Sequence, residues 1–430
     1  MNQIRNRIKT TLSLIVVFFL LTHNAYTQSK EYASEIIKTL ASPSMYGRGY
    51  VNNGCEIAAD YIVSKMQQLN LQPLGESFKQ DFPVKVKAYP KASVRICGKE
   101  LVPGSDFTVM AGSPSVKGHF KVKTIDSSYF TTKSKIDRLK KKDLRNSLIA
   151  FHTPLMKGNY RKSLDSLLKV NYINCGGFIQ ISEKSDLTWS VYSPPFTLDY
   201  PVLNIVQKHL DKRNSLDLEI ELSDNENYLI SNVIGYLPSQ VKSDSMLVIT
   251  AHYDHLGMLG NSYFPGANDN ASGVAMMLDL AREFSEAGNQ KYNIAFMAFA
   301  GEEIGLLGSK YQSEHPYLDL SKIKFLINLD MVGTGSEGIT MVNGEQLPGY
   351  FNQMVSINDE SNYVSKVVKR GESCNSDHCP FYLKGVPAVF IYSMGKEHLA
   401  YHNLNDTFDR LPLTDYDDIL RLIRDFLYSF

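Results

Sequence analysis

Four runs in the second half of the chain, Met246–Ala251, Tyr292–Ala300, Lys324–Leu329 and Ala388–Tyr392, are almost continuously apolar. That is the pattern of short strands buried on both faces. Between the first two, Val274, Met277, Leu278 and Ala281 recur at i, i+3, i+4 and i+7 and predict an amphipathic helix. Strands alternating with helices predict an α/β fold: a mixed, mostly parallel twisted sheet sandwiched by helices. Near the N-terminus, Ala33, Ile36, Ile37 and Leu40 mark one helical face, and Ala58, Ile62, Met66 and Leu69 another. Loop residues Ser42–Ser44 and Tyr46–Gly49 separate them, and strand-like text runs from Phe78 to Val86.

The texture changes from about Ala92 to Leu222. Short β runs, Ser93–Cys97 and Phe120–Ile125, alternate with lysine-rich helical text, and Leu216, Leu218, Ile220 and Leu222 alternate with polar residues. We therefore expect a discontinuous domain over 28–91 and 223–430, with a smaller β-rich α+β domain inserted at 92–222. The lysine-rich stretch from Lys133 to Arg145 reads as a solvated helix face.

The first 27 residues read as a signal peptide. Arg5, Arg7 and Lys9 precede an apolar run from Leu12 to Leu21, and small residues near Ala25 offer a cleavage site. About 10 apolar residues fall short of the roughly 20 that a membrane-spanning helix needs. The expectation is an exported protein, periplasmic or secreted, without stable membrane insertion after cleavage. With 43% hydrophobic and 21% charged residues, the 430-residue chain can build sizeable cores. Its 45 basic and 45 acidic residues give a formal net charge of +0, which argues against nucleic acid as partner. Five cysteines are too few for a disulfide scaffold. Cys374 and Cys379, flanking Asn375–His378, are expected to pair after export.

The chemistry gathers at strand ends. Met246–Ala251 runs into His252-Tyr253-Asp254-His255, Tyr292–Ala300 into Gly301-Glu302-Glu303, and Lys324–Leu329 into Asp330-Met331. In open α/β sheets ligands bind beyond the carboxyl ends of the strands. Loops add Asp269, within Asn268-Asp269-Asn270, and His402, within Tyr401-His402-Asn403. Singly, each has an ordinary structural explanation, such as a helix cap or a solvated turn. Converging on one sheet edge, they would repel or be desolvated without a cation. Imidazole and carboxylate donors suit zinc, and two Zn²⁺ balance Asp269, Glu303, Asp330 and one hydroxide. Asp254, two residues after His252, can orient that imidazole.

In order, His-x-Asp, Asn-Asp-Asn-x-Ser-Gly, Gly-Glu-Glu-x-Gly-x-x-Gly-Ser, Asn-Leu-Asp-Met-x-Gly, Ser-Asp-His and Tyr-His-x-x-x-Asp-Thr resemble the co-catalytic di-zinc exopeptidases of clan MH. The resemblance implies a zinc metalloexopeptidase acting on peptides, with two zinc ions per chain. By motif, His252 and Asp330 would hold one zinc, Glu303 and His402 the other, and Asp269 would bridge them. Glu302 would be the general base. His378, in Ser376-Asp377-His378, would either aid the site or be structural. Some relatives carry an oxyanion-steadying tyrosine just before that motif, and Gly371–Asn375 offers none. The insert resembles a protease-associated domain, which would wall the cleft.

The leading expectation is an aminopeptidase. The basic residues near the motifs, Lys310, Arg370 and Lys396, are too scattered to clamp a substrate carboxylate. Apolar N-terminal residues are expected from the text around Phe381, Tyr382 and Tyr392. The alternatives are a one-zinc glutaminyl cyclase, a carboxypeptidase or dipeptidase of the same fold, and a non-catalytic receptor domain. The sequence leaves the oligomeric state open.

Overall fold

The computed structural model describes residues 29–152, 160–192, 197–210 and 215–430, so the expected signal peptide at 1–27 lies outside the described residues. The four apolar runs are strands of one sheet. Its members are β1 (Lys79–Ile96), β2 (Ser215–Leu237), β3 (Met246–His252), β4 (Asn293–Phe299), β5 (Ile323–Leu329), β6 (Ile339–Val342), β7 (Val367–Lys369) and β8 (Ala388–Ser393). Their order in space is β1-β2-β4-β3-β5-β8-β6-β7. β3 pairs in parallel with β4 on one side and β5 on the other, so the chain reverses its direction of travel across the sheet at this strand.

Side chains alternate faces along a strand, so a strand covered on both sides must be apolar at every position. Leu247, Ile249 and Ala251 of β3 join a core with the helix at 29–40, the helix Gly54–Gln68, the predicted helix (Ser272–Ala287) and the C-terminal helix Tyr416–Tyr428. Met246 and Val248 join a second core on the opposite face, with Met297, Phe299, Leu326 and Phe381. Phe381 is therefore fully buried beneath the sheet, and the side-chain preference inferred from its neighbourhood has to come from elsewhere.

β1 and β2 are 18 and 23 residues long and pair antiparallel from Lys79–Val233 to Arg95–Asp217. Their far ends carry the same hydrogen-bonded sheet into the smaller unit, where Val116–Thr124 pairs with β2. Leu144–His152, Cys175–Ser182, Val202–Val206 and Phe107–Val109 follow in that order. The expected boundaries at 92 and 222 thus fall inside two continuous strands. The smaller unit has its own core, including Val94, Phe107, Leu148, Trp189 and Leu203, which also takes in Leu256, Leu259 and Phe264 of the larger unit. Cys374 and Cys379 are bonded, with Cα atoms 5.0 Å apart, while Cys55 and Cys175 are buried thiols and Cys97 an exposed one. Among the described residues no helix is long and apolar enough to cross a membrane.

Candidate metal centre

The carboxyl ends of β3, β4 and β5 lie side by side: β3 ends in His252, and the turns that follow β4 and β5 carry Glu302, Glu303 and Asp330. His252 closes β3. Its Nδ1 donates to the Asp254 carbonyl at 3.2 Å, which fixes the tautomer and leaves the Nε2 lone pair free. That Nε2 faces Asp269 Oδ1 at 3.5 Å and Asp330 Oδ1 at 3.4 Å. His402 Nε2 lies 3.2 Å from Asp269 Oδ2 and 3.2 Å from Glu303 Oε2. Asp269 therefore turns one oxygen to each histidine.

A tetrahedral site with bonds of about 2.0–2.1 Å places its donor atoms roughly 3.3 Å apart. All four separations match that edge. The donor chemistry fits as well: Asp330 Oδ1 and His255 Nε2 are buried without hydrogen-bond partners, which costs free energy unless a cation engages them. Burial opposes charge on His402, yet Asp269 and Glu303 push its pKa up to about 11. Burial and Asp269 would raise Glu303, but His255 and His402 hold it near 2. Burial likewise opposes charge on His252, and Asp330, Glu302 and Asp269 still carry its pKa well above the ordinary range. The cavity is built to hold positive charge among carboxylates.

The five residues proposed from sequence as ligands thus meet in one place. Asp254 reaches the His252 imidazole through its backbone, and its carboxylate is engaged elsewhere. Its carbonyl receives His252, its carboxylate stands 3.8 Å from His252 Nδ1, and it accepts the backbone N–H groups of Glu302 (3.1 Å) and Glu303 (3.3 Å). Burial drives the Asp254 pKa up to about 7. Glu302, half-buried on the same turn, is pushed well above its usual range, first by burial and then by Glu303 and Asp377, against His252. His378 donates from Nε2 to the Ser373 carbonyl at 2.9 Å and packs against Phe390. Within that motif Ser376 makes the contact to the cluster, donating to Asp330 Oδ2 at 2.8 Å while accepting from Asn328.

Several supporting residues escaped the sequence reading. His255 donates from Nδ1 to Glu303 Oε1 at 2.7 Å. Asp406, fully buried, accepts the backbone N–H groups of Asn268 (2.9 Å) and Asp269 (3.0 Å) and His398 Nε2 at 2.8 Å. Tyr401 stacks on the His402 ring at 3.9 Å. Arg48 is the largest omission. Fully buried, it donates to the carbonyls of Leu40, Tyr253, Pro265, Gly266 and Asp269 at 2.7–3.1 Å. Gly266 allows this approach, since a Cβ there would lie 2.5 Å from Arg48 Nη2. Lysine has three donors and no planar fork. Arg48→Lys should therefore leave at least two of the five carbonyls unpaired and destabilise the fold by about 2–6 kcal/mol, at roughly 1–3 kcal/mol each. Denaturant unfolding checks this, and an unchanged midpoint would show that the five bonds add nothing.

Residues 232–427 match the model of Peptidase family M28. Over 195 residues the chain is 32% identical to aminopeptidase YwaD of Bacillus subtilis, covering 43% of this chain and 41% of that protein. Over 198 residues it is 31% identical to a probable leucine aminopeptidase of Arthroderma otae, covering 44% and 55%. The aligned segment spans about half the length of these curated relatives, or less. Among solved structures, the zinc aminopeptidase BSAP of Bacillus subtilis superposes with a TM-score of 0.67 at 20% identity, over 93% of this chain and 94% of that one. A Peptidase M28 precursor from Shewanella amazonensis gives 0.67 at 17% identity, over 94% and 96%. The shared fold therefore includes the smaller unit as well as the larger one.

Proposed function

We propose that this chain, whose residues 232–427 match the model of Peptidase family M28, is an exported zinc aminopeptidase that removes N-terminal residues from peptides. The observation that carries this reading is the double facing of Asp269, with one oxygen to His252 and the other to His402 at tetrahedral-edge separations. His252 and Asp330 would hold one zinc, Glu303 and His402 the other, and Asp269 both. Zinc bound there supplies Lewis acidity that polarises the scissile carbonyl and lets water ionise near neutral pH.

The chain's own groups do the rest. Glu302 takes the proton of the attacking water and passes it to the leaving amine, a role suited to a carboxylate whose pKa burial has raised. The Asp254 carboxylate fixes the backbone of that turn. Arg48, which reaches the backbone of Asp269, is enclosed and fully engaged, so its guanidinium cannot hold a substrate carboxylate. The Cys374–Cys379 disulfide suits an oxidising compartment, which supports export.

The test pairs a leucyl peptide with its N-acetylated form, alongside zinc analysis of the purified protein. We expect the free amine to be cleaved at least about 100-fold faster, which is roughly 2.7 kcal/mol of transition-state preference, with two zinc ions per chain. Equal rates would remove the aminopeptidase reading and leave a hydrolase of blocked peptides. Cyclisation of N-terminal glutamine without hydrolysis would point instead to a glutaminyl cyclase.

A further inference from the structure

One short segment of the smaller unit touches two sides of the metal centre. The Trp189 backbone N–H donates to the His402 carbonyl at 2.9 Å. Three residues on, the Tyr192 ring lies over the turn that carries Glu302 and Glu303, and a Cβ placed on Gly305 would sit 3.2 Å from Tyr192 Cε2. Gly305 also has φ +120°, a conformation that favours glycine. Ile304, on the same turn, packs into the core of the smaller unit. Tyr192 is nonetheless 63% exposed, leaving its ring open to a ligand.

Behind this segment lies a cavity of about 520 Å³, within the size range of small-molecule and peptide pockets. Met110, Leu168, Trp189, Tyr192, Leu198 and Leu203 supply its apolar walls. The cavity therefore belongs to the smaller unit yet shares Tyr192 with the catalytic turn.

Reaction chemistry orients the substrate. A base that protonates the leaving amine must reach the scissile nitrogen, so the residue carrying that nitrogen lies beside the Glu302 turn. Tyr192 stands over the same turn and is also one wall of the apolar cavity. We infer that Tyr192 and this cavity form the binding site for the residue that follows the scissile bond, selecting peptides with an apolar second residue. The inference rests on the aminopeptidase reading and adds a specificity determinant to it. Burying one such side chain should be worth roughly 10-fold in kcat/KM, equivalent to about 1.4 kcal/mol.

The experiment compares Ala-Leu-Ala, Ala-Gly-Ala and Leu-Gly-Ala as substrates of wild type, Tyr192→Ala and Tyr192→Phe. In Tyr192→Ala the kcat/KM ratio of Ala-Leu-Ala to Ala-Gly-Ala should fall about 10-fold, chiefly through KM. The ratio of Leu-Gly-Ala to Ala-Gly-Ala should stay within about twofold, and Tyr192→Phe should preserve both ratios. Thermal midpoints and zinc content check that the variants are intact. A uniform loss across the three peptides, or one that follows the first residue, overturns the inference while leaving the aminopeptidase reading in place. A wild type that cleaves none of the three overturns both.

Discussion

Glu302→Gln is expected to lower kcat by at least about 10²–10⁴-fold, the usual contribution of a positioned general base, and by more if the same group also protonates the leaving amine. Glutamine keeps the size and shape of the side chain. The backbone N–H of residue 302 still donates to Asp254, so the turn should hold its place. The side chain of Glu302 makes none of the His–carboxylate contacts that define the cluster, whereas Glu303 beside it does. Zinc content and thermal midpoint should therefore stay near wild type while turnover collapses. Retention of near-normal kcat in a zinc-replete variant would mean that another group moves the proton. Loss of zinc together with rate would mean that Glu302 is a ligand.

Asp269→Ala is expected to fail in a different way. Its two oxygens face different histidines, so deletion opens both halves of the centre at once. Losing a group that merely supports a ligand typically costs about 10–100-fold in metal affinity. Losing the shared ligand should cost more, and zinc measured after dialysis should drop from two per chain to one or none. Asp269→Asn separates charge from shape, since it keeps both heavy atoms and removes one negative charge. If Asp269→Ala retained two zinc ions with unchanged affinity, Asp269 would not be the shared ligand.

The neighbourhood of Asp269 also explains how a loop can hold such a geometry. The Asp269–Asn270 peptide is cis, and nearly every polar group around it is engaged. Asp406 accepts from the N–H groups of Asn268 and Asp269, Arg48 donates to the Asp269 carbonyl, and Asn270 bonds the backbone of Leu329, Met331 and Gly273. Asn268 Oδ1 accepts from Gly333. The loop is thereby tied to the start of one helix, the end of β5, the N-terminal segment and the His402 loop. Such a network is costly to leave half-satisfied, so it specifies one arrangement of the carboxylate.

The sequence by itself determined the strands and the residues at their ends. Strands covered on both faces must be apolar throughout, so Met246–His252, Asn293–Phe299, Ile323–Leu329 and Ala388–Ser393 announce themselves, and the polar groups that interrupt them stand out. For the same reason His252, Asp269, Glu303, Asp330 and His402 were legible, because buried charge is rare unless something compensates it. What supports them was not legible. Arg48 meets Asp269 across 221 positions of sequence, Asp406 meets Asn268 across 138, and Ser376 meets Asp330 across 46. A buried arginine or serine carries no local pattern, since its partners are carbonyls and carboxylates that only the folded backbone brings near. The same holds for the division of the chain. Composition changes near 92 and 222, but β1 and β2 carry on past those points, their pairing shifting register between Val84 and Val86 and between Ala88 and Lys91 and then resuming. Tertiary structure alone set Trp189 and Tyr192 of the smaller unit against His402 and the Glu302 turn, through contacts that no periodicity encodes.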